Sequence, residues 1–403
     1  MMFKEDFLKN YTELISSGST PKGGNKVYLK KGEILFFRGQ NILMNRFSDH
    51  DSVYISNEIH NRMKRTWVKK GDVLIVITGS IGRTAVYEGE DYKANVNQHV
   101  CIIRLKDFNV VNPYYLSYFL ANPTMQRHIK RISIGATRPA LNFSQIGKFK
   151  IPIPSIKIQM KIVEMLEKTE KLQEWRVKTN KLVDEYLDSG FHSIFGDPIK
   201  NEENWEVKKL SDVADVVSGV TKGRKLQNKE TVFAPYLRVA NVQDGYLDLD
   251  EIKQIEVLTT DVEKYKLFEG DIVLTEGGDP DKLGRGAVWH NEVPNCIHQN
   301  HIFRVRLKNG DLNPTYLSKL IGSLYGKLYF LKSAKQTTGI ASINSTQLKK
   351  FPVIIPPIEL QNQFAEIVQQ VETLKSHQSQ SKQQIDNLFN TLMQKAFKGE
   401  LTC

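Results

Sequence analysis

The chain has 403 residues, of which 56 are Lys or Arg and 45 are Asp or Glu, giving a formal net charge of +11. With 40% hydrophobic and 25% charged residues, it has the balance of a soluble globular protein of two or three domains, which excludes a disordered or fibrous chain. The basic excess favours a polyanionic partner such as nucleic acid. No apolar run approaches the roughly 20 residues of a membrane span, and the start MMFKEDFLKN carries no signal-peptide apolar core. Three scattered cysteines, Cys101, Cys296 and Cys403, have neither disulfide nor zinc spacing. A cytoplasmic protein is expected.

In chain order, short β-like runs punctuated by Gly and Asp come first: GDVLIVITG, GRTAVYEG and HVCIIRL. Asn112-Pro113-Tyr114-Tyr115-Leu116 then predicts a helix of about 15 residues, with Asn as cap and Pro in the first turn. The run FKIPIP predicts a last strand ended by prolines, which cannot continue a ladder. A long helix follows over Ile156 to Phe195. Phe195-Gly196-Asp197-Pro198 and the polar NEEN mark a break.

After the break the same order returns. Ser17-Gly18-Ser19-Thr20 is answered by Ser218-Gly219-Val220-Thr221, and Arg38-Gly39-Gln40-Asn41-Ile42 by Arg238-Val239-Ala240-Asn241-Val242. Gly71-Asp72 pairs with Gly270-Asp271, and Gly82-Arg83 with Gly284-Arg285. Beyond these His99 pairs with His301, Arg104 with Arg306, Gln145 with Gln347, Pro154 with Pro356 and Gln159 with Gln361. Asn313-Pro314 opens the second short helix, FPVIIPP is the second proline-ended strand, and Ile358 to Phe397 is the second long helix. The repeat predicts a mixed α/β fold (α+β) of two similar globules and two struts: 1–155, 156–196, 197–357 and 358–403.

On a heptad the first strut offers the seam Ile162, Met165, Leu172, Val183 and Tyr186. The second offers Phe364, Ile367, Val371, Leu374, Ile385, Leu388 and Leu392. Both seams turn polar at the same place, Arg176 and Thr179 against Gln378 and Ser381. Chain order then demands an antiparallel pair, with the globules related by an approximate two-fold axis. Two modules on a rigid spacer suit a split DNA site.

Catalytic motifs fail on inspection. Asn112-Pro113-Tyr114-Tyr115 is better read as a helix start than as an amino-methyltransferase loop, because no Gly-rich cofactor turn precedes it. Asp197 with Glu206-Val207-Lys208 has nuclease-like spacing in a polar linker. Lys22-Gly23-Gly24 and Gly277-Gly278-Asp279-Pro280-Asp281-Lys282 lack P-loop order; His298 and His301 with His290 suggest a metal, but a 298/301 pair on a strand points to opposite faces and the first copy keeps only His99.

Binding chemistry remains. Arg38, Asn41, Arg238 and Asn241 are of the types that read guanine and adenine edges, or else they hold the loops of their own module. Repeated residues suit phosphate contacts or the fold, and unrepeated ones suit sequence reading. Lys22, Arg83 and Arg285 are therefore phosphate or structural candidates. Arg131, Arg138, Lys222, Arg224, Lys225, Lys282 and Lys335 are candidates for contacts special to one half.

The chain resembles the specificity subunits of type I restriction-modification systems. The resemblance rests on the repeated Arg-x2-Asn turns, the Gly-Asp turns, and Pro154-x4-Gln159-x2-Ile162 with Pro356-Pro357-x3-Gln361-x2-Phe364. One departure is Ile158 and Leu360, where the family usually has Glu before the Gln. The resemblance implies a non-catalytic subunit that binds a bipartite double-stranded DNA site. It implies two methyltransferase (M) subunits docked around the struts, and through them the restriction (R) subunits. S-adenosylmethionine, ATP and Mg would belong to those partners, and no metal site is expected on this chain. The alternatives are a free-standing two-headed DNA-binding regulator or a metal-dependent nuclease.

Overall fold

In the computed structural model, which describes residues 3–133, 139–223, 226, 230–278, 283–337 and 340–401, the chain is mixed α/β. It divides into two units, Met1–Lys178 with Ser379–Cys403, and Thr179–Gln378. The long helices run over Ile156–Phe195 and Ile358–Lys398. Each unit thus takes one end of both.

In the first unit a four-stranded antiparallel sheet places Val100–Leu105 between Thr12–Ser17 and Val73–Val76, with Thr84–Val86 outside. These are the apolar runs of the sequence, and Val73–Val76 is buried throughout, as a central strand requires. A second sheet pairs Ile34–Phe37 antiparallel with Val53–Ile55 and parallel with Ala94–Val96. Glu5–Phe7 pairs with Lys150–Pro152, the proline-ended strand. The second unit repeats this plan. Ile302–Leu307 lies between Ala214–Ser218 and Ile272–Thr275, Thr231–Leu237 between Lys253–Leu258 and Ile297–His298, and Glu206–Lys209 pairs with Pro352–Ile355. The segment expected as a polar linker at Glu206 is therefore an exposed edge strand, with Lys208 2.9 Å from Glu206 in an ion pair.

The Gly-Asp turn is the anchor of each sheet. Gly71 and Gly270 have φ of +84° and +82°, a left-handed conformation that favours glycine. The turn buries the next residue: Asp72 accepts the Lys69 N–H at 2.7 Å and both Nε and Nη2 of Arg104, at 2.8 and 2.7 Å. Asp271 repeats this with the Phe268 N–H and Arg306, each at 2.7 Å. Bidentate geometry of this kind is among the strongest charge-assisted contacts.

The single helix expected after Asn112 is two. Pro113–Ala121 stops and Pro123–Ile132 begins, because Asn122 is extended and caps the second helix by accepting the Met125 N–H at 2.8 Å. Pro123 suits a first turn and not an interior. The second unit divides at Ser323, between Pro314–Gly322 and Leu324–Ser333.

A buried glutamine locks each globule to the start of its strut. Gln159 accepts the Asn112 N–H at 2.8 Å and donates to the carbonyls of Val110 and Pro154, both at 2.9 Å. Gln361 does the same with Asn313 at 2.8 Å, Asp311 at 3.1 Å and Pro356 at 2.7 Å. The end of the other strut completes each clamp. In the first unit Phe397 lies 5.2 Å from Tyr115 and 5.4 Å from Phe119. In the second, Phe195 lies 4.7 Å from Tyr316 and Phe191 5.3 Å from Phe364.

The struts run antiparallel in both units. Gln173 donates to Asp386 at 2.7 Å and Arg176 to Ser381 at 2.8 Å in the first unit, and Asp184 pairs with Lys375 in the second. The row Ile162, Val183, Phe364 and Val371 is buried, Ile385 and Leu392 are half-buried, and Thr169 and Gln378 continue the row. The second row is displaced. Leu172, Tyr186, Leu374 and Leu388 are exposed, while Met165 and Ile367 are half-buried. Leu166, Gln173, Leu187, Val368, Phe389 and Ala396 turn inward instead. A helix of 3.6 residues per turn lies between the i+3 and i+4 rows, and packing of Tyr115 and Tyr118 against Ile162, Val163 and Leu166 selects i+4.

Candidate nucleic-acid interface

Sheet topology gathers one set of loops at one end of each unit. In the first, Ser17 pairs with Cys101, Val76 with Val100 and Phe37 in parallel with Val96. The segments that leave Ser17, Phe37, Val76 and Val96 therefore lie together, joined by a bridge from Thr78 to Ala140. Gly18 is needed there, because a Cβ would stand 1.8 Å from the Val96 carbonyl oxygen. In the second unit Ser218 pairs with Phe303, Thr275 with Ile302, Leu237 in parallel with His298, and Gly277 with Ser342. Gly219 is in the position of Gly18, with a Cβ 1.9 Å from the His298 carbonyl oxygen.

Most of the described sequence candidates fall at this end. Lys22 and Lys222 are exposed on turns beside Gly23 and Gly223, whose φ values are +97° and +79°. Arg38 and Arg238 cap the short 3-10 turns Gly39–Asn41 and Val239–Asn241. Asn41 is 2% exposed and Asn241 3%, and both organise the loop that follows. Asn41 accepts the Arg38 N–H at 3.1 Å and donates to the carbonyls of Ser48 and His50, at 3.4 and 3.1 Å. Asn241 accepts the Arg238 N–H at 2.9 Å and donates to Asp248 and Glu251, at 2.8 and 3.1 Å. Of the two roles the sequence leaves open for these residues, loop-holding is the one these bonds perform. Arg38 donates to the Asp51 carbonyl, and Arg238 to the Glu251 carbonyl and carboxylate at 2.9 and 2.8 Å.

Arg83 and Arg285 are half-buried just before the returning strand, and Arg285 braces its loop through Gln243 at 3.2 Å and the Val239 carbonyl at 3.3 Å. Arg131 is exposed in the last turn of Pro123–Ile132. Lys335 begins a strand, Lys335–Thr337, in the sheet with Ile340–Ser342 and Gly277–Gly278. Arg138, Arg224, Lys225 and Lys282 lie outside the described residues.

Sequence reading passed over the tight turns Asn97–His99 and Gln299–His301, which stand in the middle of this loop end. Their signal was the repeated His99 and His301 beside unlike carboxamides. Among the described residues no group of three His, Cys, Asp or Glu is placed to hold a metal. Burial pushes the thiols of Cys101 and Cys296 up to about 12, so neither is an activated nucleophile.

The family described as "Type I restriction modification DNA specificity domain" matches residues 7–182 and again 202–387. The chain is 26% identical over 412 residues to the type I restriction enzyme MjaIX specificity subunit of Methanocaldococcus jannaschii, covering 96% of this chain and 91% of that one. It is 22% identical over 398 residues to the EcoKI specificity subunit of Escherichia coli K12, covering 93% and 84%. The S subunit structure from M. genitalium superposes with a TM-score of 0.55 at 14% identity, over 98% of this chain and 96% of that one. A structure from work on complex assembly of a type I system gives 0.63 at 15% identity, over 99% and 98%. The matched residues fill most of both units, so the chain belongs to the type I restriction-modification DNA specificity family, non-catalytic subunits, and carries that family's domain twice.

Proposed function

We propose that this specificity subunit binds a bipartite double-stranded DNA site, one half at the loop end of each globule. The observation that carries the reading is the convergence, in both units, of the exposed Lys22 and Lys222 with loops stiffened by buried Asn41 and Asn241. Lys22, Arg83, Arg131, Arg138, Lys222, Arg224, Lys282 and Lys335 contact DNA. Arg38, Asn41, Arg238, Asn241 and Arg285 shape the surface that does so. Positive side chains held on rigid loops give both salt-dependent affinity and register on the duplex.

The struts dock two methyltransferase subunits, and through them restriction subunits. Support comes from apolar residues left outside the seam at matching positions of the two copies: Leu172 with Leu374, 41% and 45% exposed, and Tyr186 with Leu388, 58% and 47% exposed. Repeated apolar surface of this kind marks an interaction site, and its duplication suits two copies of one partner. S-adenosylmethionine, ATP and Mg reside on those partners, in the cytoplasm. The reading is tested by single-molecule sequencing of adenine methylation in cells expressing this subunit with its methyltransferase. A split methylated motif is expected. Its absence with the complex intact refutes the proposal.

A further inference from the structure

The two turns at the centre of the loop ends carry the same unusual contact. In the first unit the Gln98 amide nitrogen lies 3.2 Å from Nε2 of His99, and in the second the Asn300 amide nitrogen lies 3.4 Å from Nε2 of His301. Nothing in the fold requires the contact, since the backbone of each turn is already held. The His99 N–H bonds Asn97 Oδ1 at 3.0 Å, and the Asn300 N–H bonds the Val220 carbonyl at 2.9 Å. Gln98 and His301 are exposed, while His99 and Asn300 are half-buried. These amides differ from those of Asn41 and Asn241, which are buried and bonded to loop carbonyls.

An amide N–H that donates to Nε2 needs the imidazole proton on Nδ1. The second unit supplies a partner for that proton: Nδ1 of His301 is 2.6 Å from Glu276. The matching position in the first unit is Ile77, which like Glu276 bonds the following histidine turn through its backbone N–H. There the carboxamide is held from its other side, because Thr20 Oγ1 donates to Gln98 Oε1. The Gln98 carboxamide is therefore held by Thr20 and His99, and the Asn300 carboxamide by a histidine that Glu276 orients; among the described residues each keeps one N–H and a carbonyl lone pair turned to no protein group. A fixed carboxamide with one free donor beside one free acceptor matches the N7 and N6 edge of adenine.

We propose that Gln98 and Asn300 each read an adenine in the half-site bound by their own globule, with His99 and His301 as the positioning residues. The proposal rests on the DNA-recognition reading above and is tested in the intact methyltransferase complex. Gln98→Ala and Asn300→Ala are expressed separately, and the methylated motif is read by long-read sequencing. Each should relax one A·T position, lowering discrimination there by about 10-fold to 100-fold, and the two should relax different halves. His301→Ala should relax the same position as Asn300→Ala to a smaller degree, which a merely structural histidine would not do. An unchanged motif in both alanine variants, relaxation in the same half, or uniform loss of methylation with the complex intact by gel filtration would overturn the inference. A wild-type complex that methylates no split motif would remove the reading beneath it as well, so the two failures are distinguishable.

Discussion

At the scale of single residues, the repeat is an internal control on what each side chain does. His298 is fully buried, bonded through Nδ1 to the Ile302 carbonyl at 3.0 Å, with Nε2 lacking a partner among the described residues. Burial, opposed in part by the Ile302 bond and assisted by Arg304 and Arg306, pushes it down to about 4. An unfolded histidine takes up its proton near 6.5. Above that pH neither state is protonated and the titration costs nothing; as pH falls from 6.5 to 4 only the unfolded chain binds the proton, and stability is lost. The loss approaches roughly 3 kcal/mol. The first copy has Val96 at this position, in the same parallel pairing. His298→Val should therefore flatten the decline between pH 6.5 and 4, measured as urea midpoints for the second unit's transition. An unchanged pH slope would show that another group titrates. The repeated Asp72–Arg104 and Asp271–Arg306 pairs make a different point: each member was visible as a repeated residue, but their contact was not, because each aspartate stands in a turn and its arginine on a strand distant in sequence.

At the scale of elements, the struts show where periodicity stops being decisive. Apolar residues occupy both the i+3 row, with Leu172 and Tyr186, and the i+4 row, with Leu166 and Leu187. Either stripe satisfies a heptad. The globule settles the choice by packing Tyr115 and Tyr118 on the side that carries Leu166, 1% exposed. Leu166→Ala should cost about 2–5 kcal/mol, as large-to-small core changes do. Leu172→Ala should stay within about 0.5 kcal/mol, as surface changes do. Thermal midpoints of the two variants would discriminate the rows, and equal shifts would return the seam to i+3. The helix after Asn112 shows the same limit in reverse. Asn122-Pro123 is a local stop signal as plain as Asn112-Pro113, and the single helix expected there passed over it.

At the scale of the whole molecule, each long helix begins in one unit and ends in the other. It is locked in each of them, by Gln159 or Gln361 at its start and by Phe195 or Phe397 at its finish. Arg176 and Gln173 join Ser381 and Asp386 where the seam is polar, and polar contacts inside a coiled-coil seam fix register. Deleting one heptad from both helices keeps these end locks and the faces of both rows. The methylated motif should then keep its two halves and shorten only the gap between them, read by the same sequencing. Altered half-sites would show that the helices are not the ruler.

Length, charge and the doubled order of motifs determined by themselves that this is a two-module binding protein on helical spacers. Repeats, caps, proline stops and apolar runs are written in residues close along the chain, or in strict translation along it. The tertiary structure decided what depends on distant approach. It set which strut row turns inward, that Asn41 and Asn241 build loops, that Asp72 and Asp271 hold arginines, and that Gln98 and Asn300 each stand beside a histidine at the loop end of its own unit. Those outcomes follow from which strand ends meet in space, and a carboxamide in a sequence reads the same whether carbonyls surround it or water does.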